Sequence, residues 1–443
     1  MINALQVLQT ILAFLFALGV IIVVHEAGHL LVAKAFGVRV LTFSVGFGKR
    51  LWGIQRSETE YRVSAVPLGG YVRLSGENPE EATSDPRDFL SKPRWQRILV
   101  YLAGPAMNVV LAVLLFAALF MVGIRIPYLP DVPPVVGDVE AGSSSAAAGI
   151  ARGDRIVSVN SREVENWEQV LMAFLTSRPG SQVRLTLERG GTRLDKVVLP
   201  KDFEKEGGRD SAGLFPMLRP QVMEVITGSP AAASGFRPGD EIRTVNGRPI
   251  ADKDDFVAQI EKQPDRKVVV EIARDGRLML LTVVPRNDHG VGKVGLGIGA
   301  YQKYGPVRAF SASVRYNVMI VKTTISILGK IFTREVSAKS ALAGPIEIAS
   351  QTGEAARRGF KDLLYTMGFL SISIAFMNLL PVPILDGGQI FILLVEEVIR
   401  RDLSLKVKEV VSQVGFFMIL ALMATVIYFD VVKRVPAGWL PGS

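Results

Sequence analysis

The sequence predicts a multi-pass α-helical membrane protein carrying smaller α/β domains. Three observations point there: four long uncharged apolar runs, an internal repeat between the second and third of them, and ionisable residues inside two of the runs. The chain has 443 residues, enough for two to four domains. Its 49% hydrophobic content and mean hydropathy of +0.31 are high for a water-soluble protein.

The runs cover residues 1–24, 98–124, 363–385 and 411–429. Each reaches the roughly 17–25 residues needed to cross a bilayer. They predict membrane helices within 1–36, 98–124, 363–395 and 411–430. The first run lacks a basic leader and a small-residue cleavage site, so it is expected to be a retained helix rather than a signal peptide. The chain contains no cysteine, which excludes disulfides and thiol chemistry.

The net charge of +9 matters through its placement. Lys34, Arg39, Lys49, Arg50, Lys92, Arg94 and Arg97 lie between the first two runs, and Arg400, Arg401, Lys406 and Lys408 between the last two. The positive-inside rule assigns both links to the cytoplasm. Both termini and the long segment between the second and third runs then face outward. Charge that flanks membrane helices this closely argues against a nucleic-acid partner and for the lipid bilayer.

That outer segment follows a proline-rich exit, "PYLPDVPP", and contains a repeat. "GSSSAAAGIARGDRIVSVNSREV" (142–164) matches "GSPAAASGFRPGDEIRTVNGRPI" (228–250), aligning Gly149 with Gly235, Asp154 with Asp240 and Asn160 with Asn246. A helical stretch and alternating strands follow each copy. The pattern resembles tandem PDZ domains of the bacterial protease type, expected at 135–205 and 218–287. A PDZ fold takes peptide ligands by strand addition at a sheet edge; the alternative role is a spacer or shield. In residues 305–335, Arg308, Arg315, Lys322 and Lys330 recur at helical intervals. Two amphipathic helices on the outer membrane face, within 305–355, are expected there rather than a fifth span. A fifth span would reverse the next helix and put the Arg400–Lys408 cluster outside.

The first run contains "HEAGH", with His25, Glu26 and His29. Ionisable groups at bilayer depth are a functional hypothesis by default. Residues four apart share a helix face, so the two imidazoles can converge on one ion. The adjacent glutamate is then placed as general base for a water activated there. Catalytic zinc usually takes three protein ligands. Position 35 is alanine, which excludes a histidine six residues after His29, and His289 sits in a polar turn, "RNDHG", far from any apolar run. Asp386, within "FMNLLPVPILDGGQIF" (376–391), is the charge in the other apolar run. Pro381 and Pro383 break the helix there, and Gly387 and Gly388 loosen it. Irregular backbone at membrane depth is tolerated where protein buries it or it lines a wet cavity. A His2Asp zinc site, one Zn2+ per chain, is therefore expected, although iron or cobalt suits the same ligands.

H25-E26-A-G-H29, G104-P105-A-M-N108 and N378-L-L-P381-V-P383-I-L-D386-G387, taken together, resemble the site-2 protease family of intramembrane zinc metalloproteases. Four spans with two PDZ copies between the second and third resemble its sigma-E-regulating branch. The resemblance covers nearly the whole chain. It implies an inner-membrane enzyme that cuts transmembrane protein substrates within the bilayer: an anti-sigma factor after a first cleavage, and remnant signal peptides. It also implies that a β-element within residues 37–97 dips into the membrane. "VRVLTFSVGFGKRLWG" and "EYRVSAVPLGGYVRLSG" alternate like strands, and an edge strand there is expected to capture unwound substrate, with Gly69 and Gly70 at its turn. Asn378, with the adjoining Pro381 and Pro383, is expected to hold substrate backbone near the metal. Asn108 is expected either to do likewise or to bridge helices, and the PDZ pair to act as a size filter. Two other readings compete. A metal transporter would show related halves with matching breaks, and no repeat relates the runs. A membrane-anchored PDZ scaffold leaves His25, Glu26, His29 and Asp386 without purpose.

Overall fold

The computed structural model describes residues 4–78, 83, 85–123, 132–175, 177, 181–199, 212–218, 220–274, 276–299, 303–333, 339 and 342–434. In chain order, helix α1 (Ala4–Ala35) leads to strands β1 (Val40–Arg56) and β2 (Thr59–Leu74) and helix α2 (Arg94–Val122). The first repeat holds β3 (Val136–Val139), α3 (Ser144–Ala147), β4 (Arg155–Val159), β5 (Arg162–Glu163), α4 (Trp167–Leu175), β6 (Val183–Arg189), β7 (Thr192–Val198) and β8 (Leu214–Pro216). The second holds β9 (Gln221–Val225), α5 (Pro230–Ala233), β10 (Glu241–Val245), β11 (Arg248–Pro249), α6 (Lys253–Glu261), β12 (Val268–Arg274) and β13 (Arg277–Val283). It ends with β14 (Arg286–Asp288), β15 (Val291–Lys293) and β16 (Leu296–Gly299). Helices α7 (Pro306–Phe332), α8 (Pro345–Arg358), α9 (Phe360–Asn378), α10 (Asp386–Ile399) and α11 (Leu405–Arg434) follow. Two compact units result. One comprises Met1–Leu119, Arg308–Thr324 and Ala338–Ser443; the other comprises Phe120–Val307 and Ile325–Ser337.

Four helices of the first unit are long and apolar enough to cross a membrane: Ala4–Ala35, Arg94–Val122, Phe360–Asn378 and Leu405–Lys433. The third expected span, 363–395, is not one helix. It breaks after Asn378 and resumes at Asp386. Lipid offers no hydrophobic drive for helix association, so close packing of small residues has to supply it. Gly28 of α1 does so against α2, where a Cβ would fall 2.3 Å from the Ala103 carbonyl oxygen.

The β-element is a long hairpin folded over on itself. Residues 42–45 of β1 pair on one side with Glu60–Val63 and on the other with Gly70–Arg73 of β2, while Arg50–Arg56 pairs back with Thr59–Ser64. The two strands therefore make four passes, with Gly70–Val72 in an outer one. Gly69 and Gly70 lie where β2 reverses between its Glu60–Ser64 pass and its Gly70–Leu74 pass, and residues 57–58 join the two strands. One face of β1 alternates into a core with Leu30, Ala33, Phe89 and Val100. Its distal part instead exposes Leu51 (68%), Trp52 (63%) and Ile54 (49%), an apolar surface suited to lipid rather than water.

The first part of α7 docks on α2 and α9 through Ala309, Ala312, Ser313 and Tyr316, spaced three and four apart. Ser313 Oγ donates to the Val113 carbonyl at 2.7 Å, and the Tyr316 and Tyr365 hydroxyls meet at 2.6 Å. Helix α8 is seated by Asp430 of α11, a buried carboxylate that accepts the Gly344, Ile346 and Glu347 N–H groups, each at 3.0 Å. These are the donors a helix start leaves unsatisfied.

The second unit contains two α/β domains built alike, and the repeat seen in sequence is a repeat of folding. Residue 144 opens α3 and 230 opens α5; 155 opens β4 and 241 opens β10; 167 opens α4 and 253 opens α6. Asn160 and Asn246 both adopt positive φ (48° and 50°), and their side-chain oxygens accept the Arg184 and Val269 N–H groups. Asp154 takes both Nε and Nη2 of Arg189, and Asp240 both of Arg274. The domains extend past their expected ends at 205 and 287. The first strand of each needs an outer partner, and β8 pairs with β3 as β16 pairs with β9. His289 consequently lies inside the second domain, between β14 and β15, with its side chain fully in solvent. Residues 200–205, the expected end of the first domain, and most of the proline-rich exit lie outside the described residues.

Asp154 makes part of the stability of the second unit pH-dependent. Burial alone would raise its carboxyl, but the Arg189 pair and the Ala151 N–H outweigh burial and hold it below the usual carboxylate range. Its contribution is complete above about pH 4 and is lost as pH falls through the lowered value. Hydrogen exchange of β4 and β6 in the full chain should therefore accelerate below that pH. Asp154→Asn should exchange faster already at neutral pH, by about 1–3 kcal/mol of opening free energy, with a flatter acid response.

Candidate metal centre

His25 and His29 lie one helical turn apart on α1, and their Nε2 atoms approach to 3.2 Å. The His29 Nδ1 sits 2.8 Å from the Val100 carbonyl. A carbonyl only accepts, so Nδ1 carries the ring proton and Nε2 keeps its lone pair. Gly104, one turn further along α2, lets the rings lie against the backbone: a Cβ there would fall 2.3 Å from His29 Nε2 and 2.7 Å from His25 Nε2.

The third group arrives from the broken run. Between α9 and α10 the chain doubles back, with the Val382 N–H donating to Leu380 and the Leu385 N–H to Val382. Gln389 Nε2 donates to the Pro383 carbonyl at 2.7 Å and closes the turn. Gly387 and Gly388 are required by this path, since their Cβ atoms would lie 2.3 Å from Leu379 O and 2.1 Å from Val382 O. Asp386 thus opens a new helix, its Oδ2 3.2 Å from His25 Nε2 and its Oδ1 3.5 Å from His29 Nε2. Three donors on bonds of about 2.0–2.1 Å at tetrahedral angles stand ~3.3 Å apart. The two nitrogens stand at that separation and the carboxylate presents one oxygen to each ring, with one ligand atom from each residue within 4.8 Å of the others; among the described residues this is the one such cluster.

Behind the site, Asn108 is fully buried with its amide nitrogen 3.2 Å from His25 Nδ1 and its Oδ1 without a partner. A metal-ligating His25 needs its proton on Nδ1, and a half-turn of the Asn108 amide brings Oδ1 to accept it. Asn108 therefore joins α2 to α1 at His25 and has no exposed surface. Asn378 is different. It lines a cavity of about 240 Å³ together with Glu26, Asp386, Gly70, Tyr71 and Val72, its Nδ2 3.4 Å from His25 Nε2. Pro383 packs towards α11, where a Cβ on Gly415 would meet its ring at 3.0 Å. Pro381 lies exposed in the loop. Glu26 abuts the outer β pass, because a Cβ on Gly70 would fall 2.9 Å from its Cγ. The sequence reading missed Glu77 and Tyr101, which line the same cavity. Glu77 carried one available signal, standing directly after the stretch predicted as an edge strand.

The family model of peptidase family M50 matches residues 13–422. The chain belongs to peptidase family M50. Regulator of sigma-E protease RseP of Escherichia coli (strain K12) is 31% identical, covering 96% of this chain and 99% of its own length. Protease RseP of Yersinia pestis is 30% identical with the same coverage. A protein of Pasteurella multocida (strain Pm70), named as a zinc metalloprotease, is 33% identical over 95% of this chain and 98% of its own. This M50 chain is a zinc metalloprotease and a multi-pass inner-membrane protein.

Gly104 gives the sharpest test of the geometry. Gly104→Ala in this M50 chain should abolish stoichiometric zinc by elemental analysis while secondary structure by circular dichroism stays intact. A methyl there occupies the space of the two ring nitrogens, whereas Ala in a helix otherwise favours folding by about 1 kcal/mol.

Proposed function

We propose that the chain hydrolyses peptide bonds inside the transmembrane segments of single-pass proteins, with one zinc held by His25, His29 and Asp386 and with Glu26 as general base. One observation carries the reading: the two imidazole nitrogens, 3.2 Å apart, and the Asp386 carboxylate, with one oxygen 3.2 Å from His25 and the other 3.5 Å from His29, share a cavity with Glu26 and an outer β pass. A metal so held supplies a Lewis acid for the scissile carbonyl and acidifies the attacking water. Glu26 takes the proton of that water and passes it to the departing nitrogen. Gly70, Tyr71 and Val72, which pair with β1 alone among the described strands, hold an unwound substrate segment through main-chain hydrogen bonds. The Asn378 side chain, with a donor and an acceptor, holds a backbone amide of that segment close to the metal.

The charge pattern supports a cytoplasmic position for both short links and an outer, periplasmic position for the termini and PDZ pair. The PDZ domains then act as a size filter on a substrate's external part and take peptide ligands of their own. The E. coli relative's name ties that protein to sigma-E regulation, and a membrane-spanning anti-sigma factor, together with remnant signal peptides, is the substrate class taken here.

The test is a single-span reporter with a short external tail, incubated with purified, reconstituted chain. Wild type should cut within the span, and Glu26→Gln should lower kcat by at least about 10²-fold while retaining zinc. Equal cutting by both proteins would remove Glu26 from the mechanism. Stripping zinc with a chelator should stop cleavage and adding it back should restore cleavage; activity that persists in metal-free protein would exclude the metal centre.

A further inference from the structure

Glu396 is a carboxylate with no exposed surface at all, on a helix that begins with the metal-facing Asp386. Its Oε1 accepts from Lys408 Nζ of α11 at 2.7 Å and from the Leu403 N–H at 2.9 Å, and its Oε2 faces Arg97 Nη2 of α2 at 3.6 Å. Arg97 is also buried. An apolar residue would fill this position without the desolvation that a carboxylate and a guanidinium both suffer. What the charges add is a directional tie among three helices.

The elements tied are the two that build the metal centre. Arg97 stands three residues before Val100, whose carbonyl holds His29, and seven before Gly104, on which both rings rest. Asp386 stands ten residues before Glu396, about 15 Å along α10. At its own end α10 follows the seven-residue turn after α9, held to it by Gln389 on the Pro383 carbonyl. A tilt of α10 by about 5° about Glu396 would carry Asp386 some ~1.3 Å, while metal–ligand distances hold to about 0.2 Å. Outside this tie, Arg94 pairs with Glu397 at 3.1 Å and Asp402 at 2.8 Å. Those two carboxylates are mostly exposed, and such pairs contribute little.

We propose that Glu396 is a positioning residue for the metal centre: bound to Lys408 and ion-paired with Arg97 across 3.6 Å, it fixes α10 so that Asp386 stays within ligating distance of His25 and His29. This rests on the metal-centre reading above.

The experiment uses purified full-length chain loaded with zinc. Zinc transfer to a chromogenic chelator is timed, and kcat, KM and Tm are measured with the single-span reporter. Glu396→Gln should release zinc on the order of 10-fold faster and lower kcat about as much, with KM within about twofold. Arg97→Gln, which removes the partner on α2, should shift zinc release in the same direction and decides the matter should Glu396→Gln fail to fold. Arg94→Gln, confined to the outer pairs, should release zinc at the wild-type rate. A Glu396→Gln protein with lowered Tm but wild-type zinc release and kcat would overturn the proposal and leave the cluster a fold-stabilising contact. A zinc-free wild type would instead overturn the metal-centre reading itself, and this proposal with it.

Discussion

The close approach of α1 and α2 is the constraint on which the rest of the first unit depends. It exists because Gly28 meets the Ala103 carbonyl and Gly104 lies beneath both imidazoles, positions where any Cβ would fall within 2.7 Å of a neighbouring atom. With the helices this near, Val100 can take the His29 ring proton and Asn108 can reach His25 from behind. Both rings are then fixed in orientation and in the nitrogen they present. A separation larger by even one methyl would leave the histidines on one helix face without the partners that make them ligands.

The second constraint is the broken run. Seven residues between two helices inside an apolar stretch have backbone groups that lipid cannot satisfy. Here Leu379 and Leu380 still donate back to α9, Val382 donates to Leu380 and Leu385 to Val382, and the Gln389 side chain donates to the Pro383 carbonyl, while two glycines let the next helix start against the turn. The break turns Asp386 from a side chain midway along a helix into the first residue of one. There its carboxylate reaches across to α1.

Much of this was legible in the residues. Charge-free runs marked the apolar helices, the repeat at an offset of 86 residues marked two domains folded alike, and HEAGH with Asp386 marked three donor groups that the fold brings to within 3.5 Å. Other features were not legible, for physical reasons. The outer strands β8 and β16 have no counterpart inside the quoted repeat, so the domain ends were set too early at 205 and 287. Gly69 and Gly70 suggested a turn because glycine marks turns locally, and β2 does reverse there; what the sequence did not show is that Gly70 also approaches Glu26. Asn108 had two readings in sequence, and only the fold places it against His25. Arg97, Glu396 and Lys408 sit where surface charge is ordinary, beside helix ends, and nothing local distinguishes a buried pair from an exposed one.

Asp386, Glu396 and Asp430 nonetheless follow one rule. Each is an acidic side chain on or beside an apolar helix, and each is held by groups from another element: two imidazoles of α1, cations of α2 and α11, and the exposed amides at the start of α8. Apolar contacts between helices gain little over contacts with lipid, so they specify the arrangement of helices only weakly. A buried carboxylate is different, because every arrangement but one strips it of its partners. The first unit therefore places such groups at three junctions. The junction at Asp386 carries the chemistry, and the other two hold elements that adjoin it.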